Sequence, residues 1–368
     1  MKAPRSRLLA RLDAALAVTR DPVAAACLRA ERAGFLVRLG HFEQAEHELQ
    51  ALRAHAARQP SAALNAWLCM ADGWQLHFSR LGAGARDQMK RAQALSAAAG
   101  LTPLHALASA WVAHMDYTAD DIDGMVRNVA LALRLAAPDH HSARSRACMV
   151  VASAFDFAER LDRAQPWYAR AREHATADGD ETTLSALNYN ISAQRVHHAA
   201  QAAVFGGDAL DQSRQAMAAS EMAGNFDDWI GLVSLDALVP MQLATMASLQ
   251  DRFDEALALY DKHLADAQKQ GLERLTANYL ADIAWCRWNV GDHHGAHRDA
   301  TAAAASIDTG MHLDDRATAH GRLGMLFKAL GEEDAAMRHA AKGRECWDAH
   351  RKFQAQVLQA VEAAQLRP

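Results

Sequence analysis

The chain has 368 residues, among them nineteen histidines, five cysteines and 44 acidic residues with the widest chemical reach. Three adjacent histidine pairs, His140-His141, His197-His198 and His293-His294, raise the question of metal ligation. Neighbouring residues on a helix diverge by about 100°, so both rings of a pair seldom reach one ion, and a closed tetrahedral site needs other spacings. Two of the pairs fall at or near turns between helical runs, where solvated histidines are expected. The acidic run Asp116, Asp120, Asp121 and Asp123 beside Tyr117 lacks the glycine and terminal glutamate of a calcium loop. It reads as a solvated turn with a helix N-cap. The chain contains no G-x-x-x-x-G-K-[ST], no H-E-x-x-H and no G-x-S-x-G. Gly82-Ala83-Gly84 and Gly206-Gly207 join helical runs, with no preceding strand to build a phosphate cradle. Cys27, Cys69, Cys148, Cys286 and Cys346 are odd in number and never form C-x-x-C; inside helical runs they read as reduced core residues of a cytoplasmic protein. No catalytic, cofactor-binding or metal-ligating residue is assigned, and the chain is expected not to be an enzyme.

The elements that carry these side chains are helices. Hydrophobic residues make up 51% and charged residues 23%, enough apolar surface for a large core. Aromatics at only 6%, 8 prolines and abundant alanine favour helix over sheet. The net charge of −5 offers no basic excess for phosphate neutralisation, so nucleic acid is not an expected partner. Leu8, Leu9, Leu12 and Leu16 are interrupted by Arg11 and Asp13, which makes residues 1–22 an amphipathic capping helix rather than an export signal. No apolar run reaches the roughly 18 to 20 residues that cross a bilayer, so no membrane is expected.

Self-comparison shows a repeat. Asp251-x-Phe253-Asp254-x-Ala256, Gly291-x-x-His294-x-Ala296 and Gly331-x-x-Asp334-x-Ala336 superpose at spacings of 40, and Gly40-x-x-Glu43-x-Ala45 shares their pattern. Weaker copies at Ala85, Met125 and Ala164 follow at 40, 40 and 39. Each block reads as a helical hairpin: an apolar run, a Gly or Asp turn, and a second run entered through a small packing residue. The 92 residues between Ala164 and Ala256 exceed two standard units, and an irregular pair is placed there, Thr183 to Ala202 and Asp208 to Met222. The expected organisation is a capping helix at 1–22, about eight hairpins over 23–347 with irregularity at 180–225, and a capping or connector helix at 348–368.

These residues resemble the tetratricopeptide repeats. Leu323-Gly324-x-x-Phe327 carries the L-G-x2-Y part of that signature; Ala164-x-x-x-Tyr168, Ala256-x-x-x-Tyr260 and Ala45-x-x-x-Leu49 carry the A-x3-F part; Pro60, Pro103 and Pro138 follow second helices. The 40-residue unit is longer than the usual 34 and is similar to the extended repeats of bacterial signalling regulators. The resemblance implies an all-α, right-handed superhelical solenoid with a long concave surface, and a non-catalytic scaffold or regulatory module that binds protein or peptide there. It equally admits a ligand-sensing regulatory region whose output domain, a diguanylate cyclase or DNA-binding domain, is absent from this chain. Self-association as a homodimer is left open.

Placing the first helices by their small packing residues turns inward Asn65, Asp72, Gln75, Trp111, His114, Tyr117, Arg146 and Asp156. Further along, the inward rows contain the expected partner-binding set, Asn190, Gln194, Gln242, Asn278, Asp282, Trp285, Asn289 and Arg322, together with His197 and Lys328. Amide side chains can pair with an extended peptide backbone from either end, Arg forks onto a carboxylate, and Trp supplies a rigid apolar platform. Each group also has a structural use, since Trp285 and Trp288 suit a core and Asn278 and Asp282 suit their own helix face.

Overall fold

The computed structural model describes residues 6–367, and among them every regular element is a helix. Helix α1 (Arg7–Val18) precedes eight consecutive pairs: α2 (Pro22–Leu39) with α3 (Phe42–Arg58), α4 (Ala62–Arg80) with α5 (Gly84–Ala98), α6 (Thr102–Thr118) with α7 (Ile122–Leu135), and α8 (His141–Phe157) with α9 (Leu161–Asp178). Then come α10 (Glu181–Phe205) with α11 (Ala209–Ile230), α12 (Leu238–Leu249) with α13 (Phe253–Lys269), α14 (Thr276–Asn289) with α15 (His293–Ala305), and α16 (Leu313–Ala329) with α17 (Glu333–Ala363). A short 3-10 helix, Leu272–Leu275, leads into α14. No helix among the described residues is long and apolar enough to cross a membrane.

The chain divides into two compact units. One comprises Met1–Leu187, Phe226–Leu235 and Val357–Pro368; the other comprises Asn188–Asn225 and Asp236–Gln356. The divisions fall inside α10, α11 and α17, so that residues 348–363 continue α17 without a break.

The turn of each hairpin explains the repeat. Gly40, Gly291 and Gly331 take φ of 90°, 91° and 80°, the left-handed conformation that ends a helix and frees its last carbonyls to meet the next amides. Asp251, Asp120 and Glu159 occupy the same conformation at φ of 58°, 56° and 57°, at a cost that glycine avoids. Sequence similarity fades in those copies for that reason, although the geometry persists. The second helix then buries its small residue: Ala45, Ala85, Met125, Ala164, Ala256 and Ala296 are all at most 1% exposed. In the irregular pair the buried counterpart is Ser213, 49 residues after Ala164, where a serine breaks the alanine pattern. Side chains start the helices too. Asp21, Ser61, Asp121 and Asp292 accept from the amides of Ala24, Leu64, Gly124 and Gly295.

The first unit packs around Leu36, Met70, Trp74, Met89, Trp111 and Val112, and the second around Ala281, Ala284, Ala300, Leu323, Leu326 and Phe327. Cys148, Cys286 and Cys346 are buried, Cys27 and Cys69 are half-buried, and all five thiols are free. Asp121 makes the expected N-cap, but Asp116 departs from the solvated-turn expectation. It is 1% exposed and takes Arg86 Nε at 2.7 Å and Asn128 Nδ2 at 2.8 Å. Carboxylates this close in sequence differ in exposure because Asp116 ends the buried face of α6 whereas Asp121 begins α7.

Candidate functional site

In the second unit, α10, α12, α14 and α16 enclose a pocket of about 90 Å3. Small residues make it possible. Ala193, Ala200 and Ala319 in its wall, and Ala281 and Ala284 in the core behind, hold the helices apart by one methyl only, so the longer polar side chains converge in the space that remains. Gln242, Asp282 and Arg322 stand one repeat apart on three successive first helices, as do Leu238, Asn278 and Thr318, and all six line the pocket. The walls are therefore two equivalent rows of the repeat.

Its charges are compensated from within. Arg322 Nε donates to Asp282 Oδ1 at 3.1 Å, and Tyr260 donates its hydroxyl hydrogen to Asp282 Oδ2 at 3.2 Å. Burial nevertheless holds the Asp282 carboxyl above the usual carboxylate range, against the pull of Arg322. Asp314 and Asp315 lie in the first turn of α16, where the helix dipole favours negative charge. Asp315 accepts from Arg274 Nη1 at 2.5 Å, and Asp314 lies 3.5 Å from His197 Nδ1. Burial opposes a charged His197 imidazole, yet the bond and charge of Asp314 raise its pKa above the ordinary histidine value; reciprocally, Asp314 is lowered despite its own burial. Burial and then the Asp314 charge push Asp315 up. Three carboxylates thus face two guanidinium groups and one imidazole that favours its charged form.

The amide groups remain open. Asn278 Nδ2 donates to the Asp315 carbonyl at 2.9 Å, but its buried Oδ1 has no hydrogen-bond partner among the described residues. Gln242 Oε1 accepts from the hydroxyls of Ser192 and Ser220 at 2.8 and 2.9 Å, whereas its buried Nε2, beside the Tyr189 phenol, closes no hydrogen bond. An acceptor and a donor are therefore left over in one polar pocket, the complement of a peptide group's own donor and acceptor.

Of the eight side chains singled out in the sequence, Gln242, Asn278, Asp282 and Arg322 meet here. Trp285 stands behind Arg322, whose guanidinium carbon is 5.3 Å from its ring centroid, and it packs against the core of the second unit. Asn190 and Gln194 lie on α10, half-buried, outside the lining residues. Asn289 is exposed and donates to the carbonyl of Trp285 at 2.8 Å. Tyr189, Gln201, Tyr279, Asp314 and Asp315 also line the pocket and were not singled out. The one signal available for them was the adjacent pair Asp314-Asp315 at a helix start, which reads equally well as a favourable first turn. His197 is a correction to the solvated-histidine expectation, because it sits within α10 against Asp314. Among the described residues no three His, Cys, Asp or Glu side chains group as a metal site.

No family model and no curated protein matches the sequence. Solved structures do match. A Rap protein complexed with competence and sporulation factor aligns over 94% of this chain and 92% of its own at 12% identity, with a TM-score of 0.58. The apo form of RapI aligns over the same shares at 12% identity with a TM-score of 0.48. The likeness to the first, with the hairpin order above, establishes the fold as an all-α array of tetratricopeptide-like hairpins.

Proposed function

We propose that this chain is a non-catalytic helical-repeat module of the cytoplasm that binds a peptide, or a peptide segment of a protein partner, in the pocket formed by α10, α12, α14 and α16. The observation that carries the proposal is the division of labour in that pocket. Its charged groups are already paired with one another, and the groups left without partners are amide atoms suited to a peptide backbone. A general acid, base or nucleophile would need a free titrating group aimed at a substrate, and here each carboxylate has a resident partner. The fold is shared with a Rap protein whose structure holds competence and sporulation factor, which places ligand binding within the reach of this architecture. The open amides and the compensated charges together favour a short extended segment with few charges, its backbone paired to Asn278 and Gln242.

The test is selection of displayed peptides on the full chain, followed by affinity measurement against Asn278→Ala, with Asn289→Ala as a control outside the pocket. Loss of one buried hydrogen bond of roughly 1–1.5 kcal/mol weakens binding about 5- to 10-fold in Asn278→Ala and leaves Asn289→Ala unchanged. Equal affinity of both variants for every selected peptide would remove the pocket from the proposal.

A further inference from the structure

The first unit holds a second, smaller cavity of about 30 Å3, walled by α1, α2, α4, α6, α8 and the start of α10. At its centre is Arg146, only 3% exposed. The guanidinium carbon lies 3.9 Å from the centroid of the Trp111 ring, so the ring face supports the cation from one side. Among the described residues no hydrogen bond or ion pair reaches this guanidinium, and its buried Nε has no acceptor.

The acidic groups nearby are already engaged. Asp180 takes Arg38 Nη2 at 3.0 Å, the Thr182 hydroxyl at 2.7 Å, and both the amide and hydroxyl of Thr183 at 2.9 and 2.8 Å. Asp178 takes Arg11 Nη2 at 2.5 Å. Glu31, in the same wall, is pushed up to about 7 by burial and by the Asp178 charge, so it supplies at most a partial negative charge at neutral pH. Arg38 stands over the Trp111 ring as well, 5.9 Å from its centroid, adding a second guanidinium to the same side of the cavity. A buried cation without a counter-charge is among the costliest arrangements a core can hold, and natural cores pair such groups.

We infer that the Arg146 cavity is a binding site for a carboxylate, with the Arg146 fork as its anchor and Trp111 as the platform behind it. The size fits. About 10–15 Å3 of such space holds one water, so this cavity takes about two, the extent of a planar O–C–O group and less than a tetrahedral phosphate needs. The geometry fits as well, since an in-plane fork meets a planar carboxylate through two parallel N–H···O bonds. Leu8 and Leu12 of α1 form the apolar side of the wall, where a short methyl or methylene stem would lie. The site is independent of the peptide pocket in the second unit, sharing none of its residues.

The experiment uses the full chain at constant ionic strength, with acetate, inorganic phosphate, and one short peptide in free-acid and C-terminally amidated forms. Melting temperature and 13C-acetate NMR are read for the parent, Arg146→Met and Arg146→Lys. Expected for the parent is saturable stabilisation by acetate, roughly 3 °C at tenfold excess over the dissociation constant, and little effect of phosphate. Arg146→Met abolishes the acetate response, and Arg146→Lys, which keeps the charge and loses the fork, weakens acetate at least tenfold. A free-acid peptide that outbinds its amide identifies a chain terminus as the source, whereas indifference to amidation identifies a small free acid. Absence of saturable acetate binding to the parent by NMR overturns the inference without recourse to any variant, and so does an acetate response that survives in Arg146→Met.

Discussion

Arg322→Met gives the sharpest test of how the second unit is held together. Arg322 and Asp282 have side chains only 7% and 12% exposed, and their bond is 3.1 Å long. Removing the cation leaves Asp282 buried with the Tyr260 hydroxyl as its remaining donor, while Met fills most of the vacated volume, so the effect is electrostatic rather than a cavity. Breaking a buried pair in this way costs about 3–5 kcal/mol. For a cooperative unit of this size that corresponds to a fall of roughly 6–20 °C in melting temperature. The pH dependence carries the mechanism. Burial already raises the folded Asp282 pKa above its unfolded value, and Arg322 is the chief group opposing that rise. Without Arg322 the folded pKa climbs further, and a carboxyl with a raised folded pKa destabilises where it is ionised, the penalty fading as pH falls toward the unfolded carboxylate range. The gap between Arg322→Met and the parent therefore narrows between pH 7.5 and pH 5. Melts followed by circular dichroism at both pH values read this directly. The double variant Arg322→Met with Asp282→Leu recovers most of the loss, because no buried charge is left unpaired. An equal loss at both pH values, or a double variant no better than the single one, refutes the reasoning.

Three further outcomes are expected. In His197→Gln the wild-type loss of stability on raising pH above 6.5 disappears: His197 has a folded pKa raised by Asp314, so its contribution is full below the unfolded value and is lost as pH rises through the folded one, as urea titrations at pH 6 and 8.5 will show. Gly34→Ala destabilises the first unit by about 1–3 kcal/mol in urea, because a Cβ at Gly34 would overlap the ring of Trp74, itself 3% exposed in the core; no change in the urea midpoint would contradict that packing. Ellman's reagent at pH 8 leaves Cys148 and Cys286 unmodified in the folded chain, since burial pushes both thiols up to about 12, whereas all five thiols react in denaturant.

The hairpin period was legible because its two determinants are local: a left-handed turn residue and a small buried residue about four positions later. Where Gly and Ala fill those positions, as at Gly291 and Ala296, the copies align by eye. Where Asp120, Glu159 or Ser213 does the same work, the backbone repeats while the letters do not. Residues of one row on successive first helices, such as Gln242, Asp282 and Arg322, could be grouped for the same reason, as they differ by whole repeats. What the sequence could not supply is which charges cancel. The pairing of Asp315 with Arg274, of Asp314 with His197 and of Asp180 with Arg38 depends on side-chain reach across separate helices, which no spacing rule encodes. The isolation of Arg146 over Trp111 is likewise a statement about absent partners.

The most direct measurement is photo-crosslinking of a selected peptide carrying a benzophenone, with the attachment sites on the full chain mapped by mass spectrometry. Attachment to Gln201, Met241, Asn278, Thr318 or their pocket neighbours is the predicted result. Attachment confined to residues outside α10, α12, α14 and α16 would contradict peptide recognition in that pocket.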